Sequence, residues 1–136
     1  MPDTLRLEIV TPQAIVFSED VGMVTLPAIE GQIGVYPKHV RLITQIVPGE
    51  IIVSAGAEDR FIAVGEGLVE ITGDHVVIVT DMAIPAERID EARAEEARER
   101  AAARLREKIS DEEVATVNAS LARALAQLQV RRRRRM

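Results

Sequence analysis

The amino-acid sequence changes character at Pro85. All eight glycines and all six prolines lie at or before this residue, together with twenty-five of the thirty valines and isoleucines. Beyond it there are twelve alanines and only five valines or isoleucines. Branched side chains favour strands, whereas alanine is the strongest helix former. The composition therefore predicts a β unit over residues 1–85 and a helical unit over residues 86–136.

The β unit consists of short segments in which apolar and polar residues alternate. Leu5, Leu7 and Ile9 share one face of a segment whose other face is polar, which is typical of a strand with one solvated side. Residues 76–79 are apolar on both faces, which predicts a strand in the centre of a sheet. About eight to ten such strands, closely spaced by turns, predict a β-sandwich or barrel. We expect turns at Ser18-Glu19-Asp20, Gly56-Ala57-Glu58-Asp59 and Tyr36-Pro37-Lys38-His39, and a hairpin turn at Gly65-Glu66-Gly67.

After Pro85 the apolar period lengthens to three and four residues, which indicates helices. Two stripes form, one of Ala94, Ala97, Ala101, Leu105 and Ile109, and one of Val114, Val117, Leu121, Ala124 and Leu128. Between them, Ser110 and Glu113 match a capping box that starts the second helix. The two stripes predict an antiparallel helical hairpin with a thin seam, because alanine buries little apolar area. Its burial must be completed by the β unit or by another protein, so we expect a mobile element.

The net charge of −5 is unevenly distributed. Residues 1–85 carry four basic and twelve acidic side chains, whereas residues 86–136 carry thirteen and ten. Five consecutive arginines precede the last residue, Met136: Arg131, Arg132, Arg133, Arg134 and Arg135. This asymmetry predicts either an acidic partner for the tail or contact between the two parts of the chain. With three aromatic residues in the chain, we do not expect a nucleic-acid surface.

Residues with catalytic or metal-binding potential are sparse. His39 and His75 have no second ligand or nucleophile at a useful spacing, so we predict no catalytic residue and no metal site. The absence of cysteine removes disulfide and thiol chemistry. No apolar run approaches the roughly 20 residues of a membrane span, which predicts a soluble or peripheral chain. Asp90 and Arg93, three residues apart at a helix start, are typical of a cap with a local ion pair, and a ligand-binding role stays open.

Several segments, in this order and spacing, resemble the epsilon subunit of the F-type ATP synthase nearly end to end. They are Gly31-Gln32-Ile33-Gly34-Val35-Tyr36-Pro37-Lys38-His39, Leu42-Ile43-Thr44, Pro48-Gly49, Phe61-Ile62-Ala63-Val64-Gly65-Glu66-Gly67, Val77-Ile78-Val79-Thr80-Asp81 and Ile89-Asp90-Glu91-Ala92-Arg93-Ala94. The resemblance implies an α+β fold, with a flattened sandwich of about ten strands followed by a C-terminal antiparallel two-helix hairpin.

The same resemblance implies a non-catalytic subunit of the central stalk, which couples proton flow through the c-ring to ATP synthesis. Its implied partners are the gamma subunit, the c-ring and the alpha and beta subunits, at the cytoplasmic face of the bacterial plasma membrane. The hairpin would inhibit ATP hydrolysis when it extends from the sandwich. The alternative is a stand-alone β-sandwich binding module whose hairpin mediates oligomerisation.

Site residues also follow from the resemblance. Glu30, Gly31, Gln32 and His39 would contact the c-ring. No cofactor is required, but Asp90, Arg93, Arg100 and Arg123 match positions that bind a regulatory ATP in some bacterial members, with Gln127 standing where a second arginine of the last helix is expected. The arginines 131–135 would attract an acidic segment of the beta subunit and favour the inhibited state.

Overall fold

The computed structural model describes residues 4–134, with side chains through Arg133. Ten strands precede two helices, as the sequence predicts. The strands are β1 Leu5–Val10, β2 Ile15–Val21, β3 Met23–Ala28, β4 Gly31–Val35, β5 Leu42–Ile46, β6 Gly49–Ala55, β7 Glu58–Val64, β8 Gly67–Ile71, β9 His75–Thr80 and β10 Ala83–Pro85. A short 3-10 turn, Ala86–Arg88, leads into helices α1 Glu91–Leu105 and α2 Asp111–Arg134. Within residues 4–134 neither helix is long and apolar enough to cross a bilayer.

The strands form a flattened sandwich with the order β10-β7-β6-β3-β5-β8-β9-β1-β2, and β4 pairs with β3. The two layers meet at β3 and β5, which share only the pair Ala28 and Ile46. Alternation along each strand points one set of side chains inward, where Leu7, Ile51 and Ile78 are among the fully buried residues. The predicted sandwich and helical hairpin are therefore confirmed.

The turn predicted at Ser18-Glu19-Asp20 is wrong, because these residues continue strand β2. β2 lies at the end of the sheet order and pairs only with β1 among the described strands, so its polar side chains stay in solvent. Arg60 of β7 donates two hydrogen bonds to the Glu19 carboxylate, at 2.9 and 3.0 Å. The acidic run is thus a charged strand, in which Arg60 of the other layer pairs with Glu19 and Arg6 of β1 pairs with Asp20.

The hairpin turn predicted at Gly65-Glu66-Gly67 is also wrong. The segment joins β7 to β8, which are not neighbours in the sheet, so it crosses from one layer to the other. Gly67 is needed for close packing, since a Cβ there would overlap the backbone carbonyl oxygen of Val79, whereas a Cβ on Gly65 would displace the side chain of Asp81.

Strand β9 lies between β8 and β1, which confirms its predicted central place in the pairing. Its outer face is nevertheless open, because Val79 is 54% exposed. The apolar outer face of this strand therefore has no cover within the described part of the chain.

The helical hairpin has the thin seam that its alanines predict. Ala94, Ala101, Ala124 and Leu128 are buried, and Ile109 lies beyond the end of α1, in the linker rather than on the predicted stripe. Half of the predicted capping box forms, since the Ser110 hydroxyl accepts the Glu113 N–H at 3.2 Å. The Glu113 carboxylate instead accepts hydrogen bonds from the Ser110 hydroxyl and, at 2.6 Å, from Arg104.

Candidate functional site

Helix α2 docks on the outer face of β6 and β7, beside the 3-10 turn. Fully buried Val130 packs there with Ala63, Ala86 and Ile89. Phe61, Met82 and Ile84 flank this small cluster. The docking surface exists because β7 is apolar on both faces, with Ile62 and Val64 in the sandwich core and Phe61 and Ala63 pointing away from it.

Polar contacts continue the docking along the same side of α2. Arg123 pairs with Asp81, with Nη1 3.6 Å from Oδ2, and the Gln127 side-chain amide donates to the Met82 sulfur at 3.3 Å. Arg133, in the last described turn, pairs with Glu50 at 2.9 Å. Positions 123, 127, 130 and 133 are three or four residues apart and therefore form one stripe of the helix. One valine and three polar side chains thus connect α2 to the sandwich along this stripe.

Glu50 is the most unusual member of this interface. Its side chain is only 4% exposed, and its Oε2 is buried without a hydrogen-bond partner in the described chain. Burial raises the pKa of Glu50, and the positive charge of Arg133 opposes that rise. Arg133 also lies over the Phe61 ring, 5.7 Å from its centroid, within the range of a cation–π contact.

Other arginines hold the two helices to each other. Arg132 of α2 pairs with Glu91 and Glu95 of α1 at 3.3 and 2.9 Å. A hydrogen bond from Arg98 is the main cause that lowers the pKa of Glu95, and Arg132 adds to it. The tail arginines Arg132 and Arg133 therefore differ in partner, since one binds the hairpin itself and the other binds the sandwich.

A basic cleft lies between α1 and α2, with a volume of about 470 Å³. Arg100, Arg104 and Arg123 line it, together with Ser120, Gln127 and apolar residues, and no acidic side chain does. This volume lies in the range of small-molecule sites. The cleft brings together Arg100 and Arg123, two of the four predicted nucleotide residues.

Asp90 and Arg93 do not line the cleft. The Asp90 carboxylate accepts a hydrogen bond from the Arg93 backbone N–H at 3.1 Å, and so caps α1. Arg93 and Arg100 are seven residues apart on α1, which places them on the same side of the helix and about 10 Å apart along its axis. A ligand held by all four predicted residues must therefore extend from the cleft by nearly two turns of α1.

The cations of the cleft differ in their availability. Arg123 is paired with Asp81 and donates to the Ser120 hydroxyl at 3.2 Å. Arg104 is paired with Glu107 and Glu113, which raise its pKa through hydrogen bonds. Arg100 has no ion pair within the described residues. An anion in the cleft can therefore pair with Arg100 without displacing an ion pair, and must compete with carboxylates for the other two.

The predicted c-ring residues fall into two exposed or half-exposed groups. Glu30, Gly31 and Gln32 form the turn and first residues at the start of β4, whereas His39 follows the end of that strand. Residues 33–35, the last three of β4, and residues 36–38 therefore separate Gln32 from His39 along the chain. Any single partner that contacts both must span that strand.

The predicted beta-subunit residues lie at the end of α2. Arg131 has a buried Nε without a hydrogen-bond partner in the described chain, and Arg132 and Arg133 have the ion pairs given above. Arg134 is the last described helical residue, and Arg135 lies outside the described residues. In the docked hairpin, two of the three arginines whose side chains are described, Arg132 and Arg133, therefore already have acidic partners from the same chain.

His75 is the first residue of β9, and His39 lies between β4 and β5. His75 Nε2 lies 3.2 Å from the Glu8 carboxylate, and His39 Nδ1 lies 2.6 Å from the Val40 carbonyl oxygen. Across residues 4–134, no three His, Cys, Asp or Glu side chains are grouped so that they could hold a metal ion.

Comparison with known protein families decides the classification. The beta-sandwich domain of the ATP synthase delta/epsilon chain matches residues 4–86, and its long alpha-helix domain matches residues 87–131. The chain belongs to the ATP synthase delta/epsilon family. The ATP synthase epsilon chain of Herpetosiphon aurantiacus is 39% identical over 131 residues, covering 96% of each chain. That of Dehalococcoides mccartyi strain BAV1 is 41% identical over 132 residues, covering 96% of this chain and 94% of the relative.

Solved structures share the epsilon-family fold. A chain of the Euglena gracilis mitochondrial ATP synthase, from an OSCP/F1/c-ring structure, superposes with a TM-score of 0.79 at 23% identity. That match covers 95% of this chain and 81% of the other. A chain from the central stalk and c-ring of the Tetrahymena thermophila enzyme gives 0.68 at 10% identity, over 93% and 96% of the two chains.

Sequence reasoning missed the sandwich side of the docking site in this epsilon-family chain. The sequence pattern does not mark Glu50, Asp81 or Met82 as contact residues of α2, although each contacts that helix. A usable signal was present in Phe61-Ile62-Ala63-Val64, which is apolar on both faces and lies near the edge of the sheet order. Such a strand requires a cover on its outer face.

Proposed function

We propose that this chain is the non-catalytic epsilon subunit of a proton-translocating F-type ATP synthase. It lies in the central stalk, transmits rotation between the c-ring and the catalytic head, and restrains ATP hydrolysis through its helical hairpin. Family membership across both the sandwich and the hairpin is the observation that carries the proposal. Its place is the cytoplasmic face of the bacterial plasma membrane, where it is held through the complex.

The gamma subunit would bind the open outer face of the sandwich. Val10, Val79 and Leu68 are aligned across β1, β9 and β8 by the strand register. Val79 and Leu68 are more than half exposed, at 54% and 57%. A contiguous exposed apolar row of this kind is typical of a protein interface. The c-ring would bind through the turns that carry Glu30 and His39.

The hairpin would act as a brake with two positions. Docked on the sandwich, as here, it permits turnover, and extended along gamma towards alpha and beta it blocks hydrolysis. The thin seam and the small apolar docking cluster support this proposal, because a two-state element cannot be held too firmly in either state.

Truncation after Arg88 tests the brake. We expect the reconstituted complex to retain the truncated subunit and to hydrolyse ATP faster than the complex with the full chain. Equal hydrolysis rates with equal subunit content would contradict the brake. Loss of the truncated subunit from the complex would contradict the assignment of assembly to residues 1–85.

The basic cleft would bind a regulatory ATP. Arg100 and Arg123 supply cations for the phosphates, and Arg93 lies further along the same side of α1. Gln127 lines the cleft as a neutral group, which weakens the clamp on a triphosphate. Titration calorimetry of the full chain with ATP tests this binding. We expect heat at millimolar ATP that Arg100→Ala removes, whereas Arg106→Ala, an exposed arginine outside the cleft, leaves it unchanged.

The arginine tail would favour the inhibited state by attracting an acidic segment of the beta subunit. Replacing all five arginines with serine should relieve inhibition of ATP hydrolysis, most clearly at low salt. Unchanged inhibition at low salt would remove the tail from the mechanism.

A further inference from the structure

The outer face of β6 and β7 carries one buried charge in apolar surroundings. Glu50 pairs across the strands with Ala63, which pairs in turn with Ile84. Ala63 belongs to the docking cluster beneath α2, and Ile84 packs against it. The Glu50 side chain is almost completely buried, and its Oε1 forms an ion pair with Arg133. A carboxylate in such a place is costly unless a cation compensates it.

Arg133 provides that compensation in a fixed geometry. Its Nε lies 2.9 Å from Glu50 Oε1, and its guanidinium carbon lies over the Phe61 ring. The preceding Arg132 points to α1 and pairs with Glu91 and Glu95. The two adjacent arginines therefore bind different parts of the subunit. Of the described tail arginines, only Arg133 forms an ion pair with the sandwich.

We propose that Glu50 and Phe61 form a receptor for Arg133, and that this contact is a latch that holds the end of α2 on the sandwich. The inference rests on the proposed function only in assuming that the hairpin has a docked and a released position. The tail then has a role inside the subunit, before any contact with the beta subunit. Release of the hairpin requires Arg133 to leave Glu50.

The latch has an asymmetry that can be measured. Removing Arg133 leaves a buried carboxylate without its cation in the docked state, whereas release of α2 exposes Glu50 to water. Removing the Glu50 charge leaves Arg133 half exposed, at 48%, where water can solvate it. Loss of Arg133 should therefore open the hairpin more than loss of the Glu50 charge, and loss of both should resemble loss of the Glu50 charge alone.

A thiol-accessibility experiment on the full-length chain tests the latch. The natural sequence has no cysteine, so Ala63→Cys introduces a single thiol under α2. Its modification rate reports how often the hairpin leaves the sandwich. A second reporter, Val53→Cys in the sandwich core, reports unfolding of the sandwich itself.

We expect Arg133→Gln to raise the modification rate at residue 63 roughly tenfold, with less than about a threefold change at residue 53. Glu50→Gln should raise the rate at residue 63 by a smaller factor, about threefold, because the favourable pair is lost without leaving an unpaired buried charge, and the double variant should match Glu50→Gln. Arg132→Gln is the matched control, with the same change of charge one residue away, and should have little effect.

Equal rates in Arg133→Gln and the parent chain would overturn the latch. So would equal effects of Arg132→Gln and Arg133→Gln, because the tail charge alone would then explain the docking. If Arg133→Gln accelerates both reporters equally, the pair stabilises the whole fold and the latch is refuted. These outcomes are measured without the ATP synthase complex, so they are distinct from a failure of the subunit to restrain hydrolysis.

Discussion

Val130→Ala should release the hairpin while leaving the sandwich folded. Val130 is fully buried and packs with Ala63, Ala86 and Ile89, and the sandwich core lies in a separate cluster. The change removes the equivalent of two methylene groups, worth about 1.6 kcal/mol of transfer free energy, and a residual cavity brings the cost to about 2 kcal/mol. At 1.36 kcal/mol per factor of ten, the released fraction should rise about 30-fold. The higher helix propensity of alanine acts on α2 in both positions and cancels to first order.

Limited trypsin digestion of the full chain measures this release, because cleavage of an opened segment follows the population of the open form. Cleavage at the arginines within α1 and α2 reports release, whereas exposed Arg106 and Lys108 in the linker are accessible in both positions, and Val130→Ala leaves all of these sites in place. We expect about 30-fold faster loss of the hairpin and accumulation of an intact sandwich. Leu125→Ala is the control, since Leu125 lies on the same helix but is 47% exposed, and it should change the rate by less than about threefold. Unchanged cleavage in Val130→Ala, or equal acceleration by both variants, would refute the docking argument.

Two further variants test the sandwich side. Gly65→Ala should speed hairpin cleavage by trypsin, because its Cβ would lie 1.9 Å from Asp81 and displace the partner of Arg123, whereas Gly73→Ala, with no atom within 4 Å of its Cβ, should not. The hydrogen bonds from Arg60 lower the pKa of Glu19 below its usual 4.5, so the stabilising effect of this group is present above that value and is lost as pH falls through the lowered pKa. Urea denaturation should show that Glu19→Gln costs less than about 1 kcal/mol at neutral pH and nothing at pH values below the lowered pKa, and a constant cost across that range would contradict the ion pair.

The fold was largely predictable because its signals are local. Alternation over residues 4–11, apolar runs such as 76–79 and the alanine-rich period after Pro85 each determine an element type. The errors fall where long-range contacts decide the conformation. Ser18-Glu19-Asp20 has the composition of a turn, but it pairs with residues 6–8 of β1 as an edge strand, and Arg60 from another strand compensates the Glu19 charge. Gly65-Glu66-Gly67 has the composition of a hairpin turn, but close packing against the segment near Asp81 explains its glycines.

The docking site was not predictable from the periodicity of α2. The stripes of α2 that face α1 are visible as apolar periodicity, whereas the stripe that faces the sandwich mixes Arg123, Gln127, Val130 and Arg133. A mixed stripe has no hydrophobic period, so the sequence pattern hides it. Glu50 is hidden for a related reason, because a carboxylate on a strand is normally solvated and only the position of α2 buries it.

The arginine tail serves both positions of the hairpin, and salt should separate its two roles. The Arg133 pair with Glu50 is largely removed from solvent on its acidic side, so screening weakens it little. The proposed attraction between the tail and an acidic segment of the beta subunit acts between exposed charges. Raising ionic strength from about 0.01 M to about 0.15 M shortens the screening length from about 30 Å to about 8 Å, and should weaken that attraction first.

The measurement is inhibition of the reconstituted complex, defined as the ATPase rate with the chain truncated after Arg88 divided by the rate with the full chain. This ratio should fall as salt rises. The variant with serines at the five arginine positions should show a smaller salt dependence of the same ratio. If this ratio instead rises with salt, the docked position of the hairpin is more salt-sensitive than the inhibited position. That result would contradict the argument that burial protects the Glu50 pair from screening.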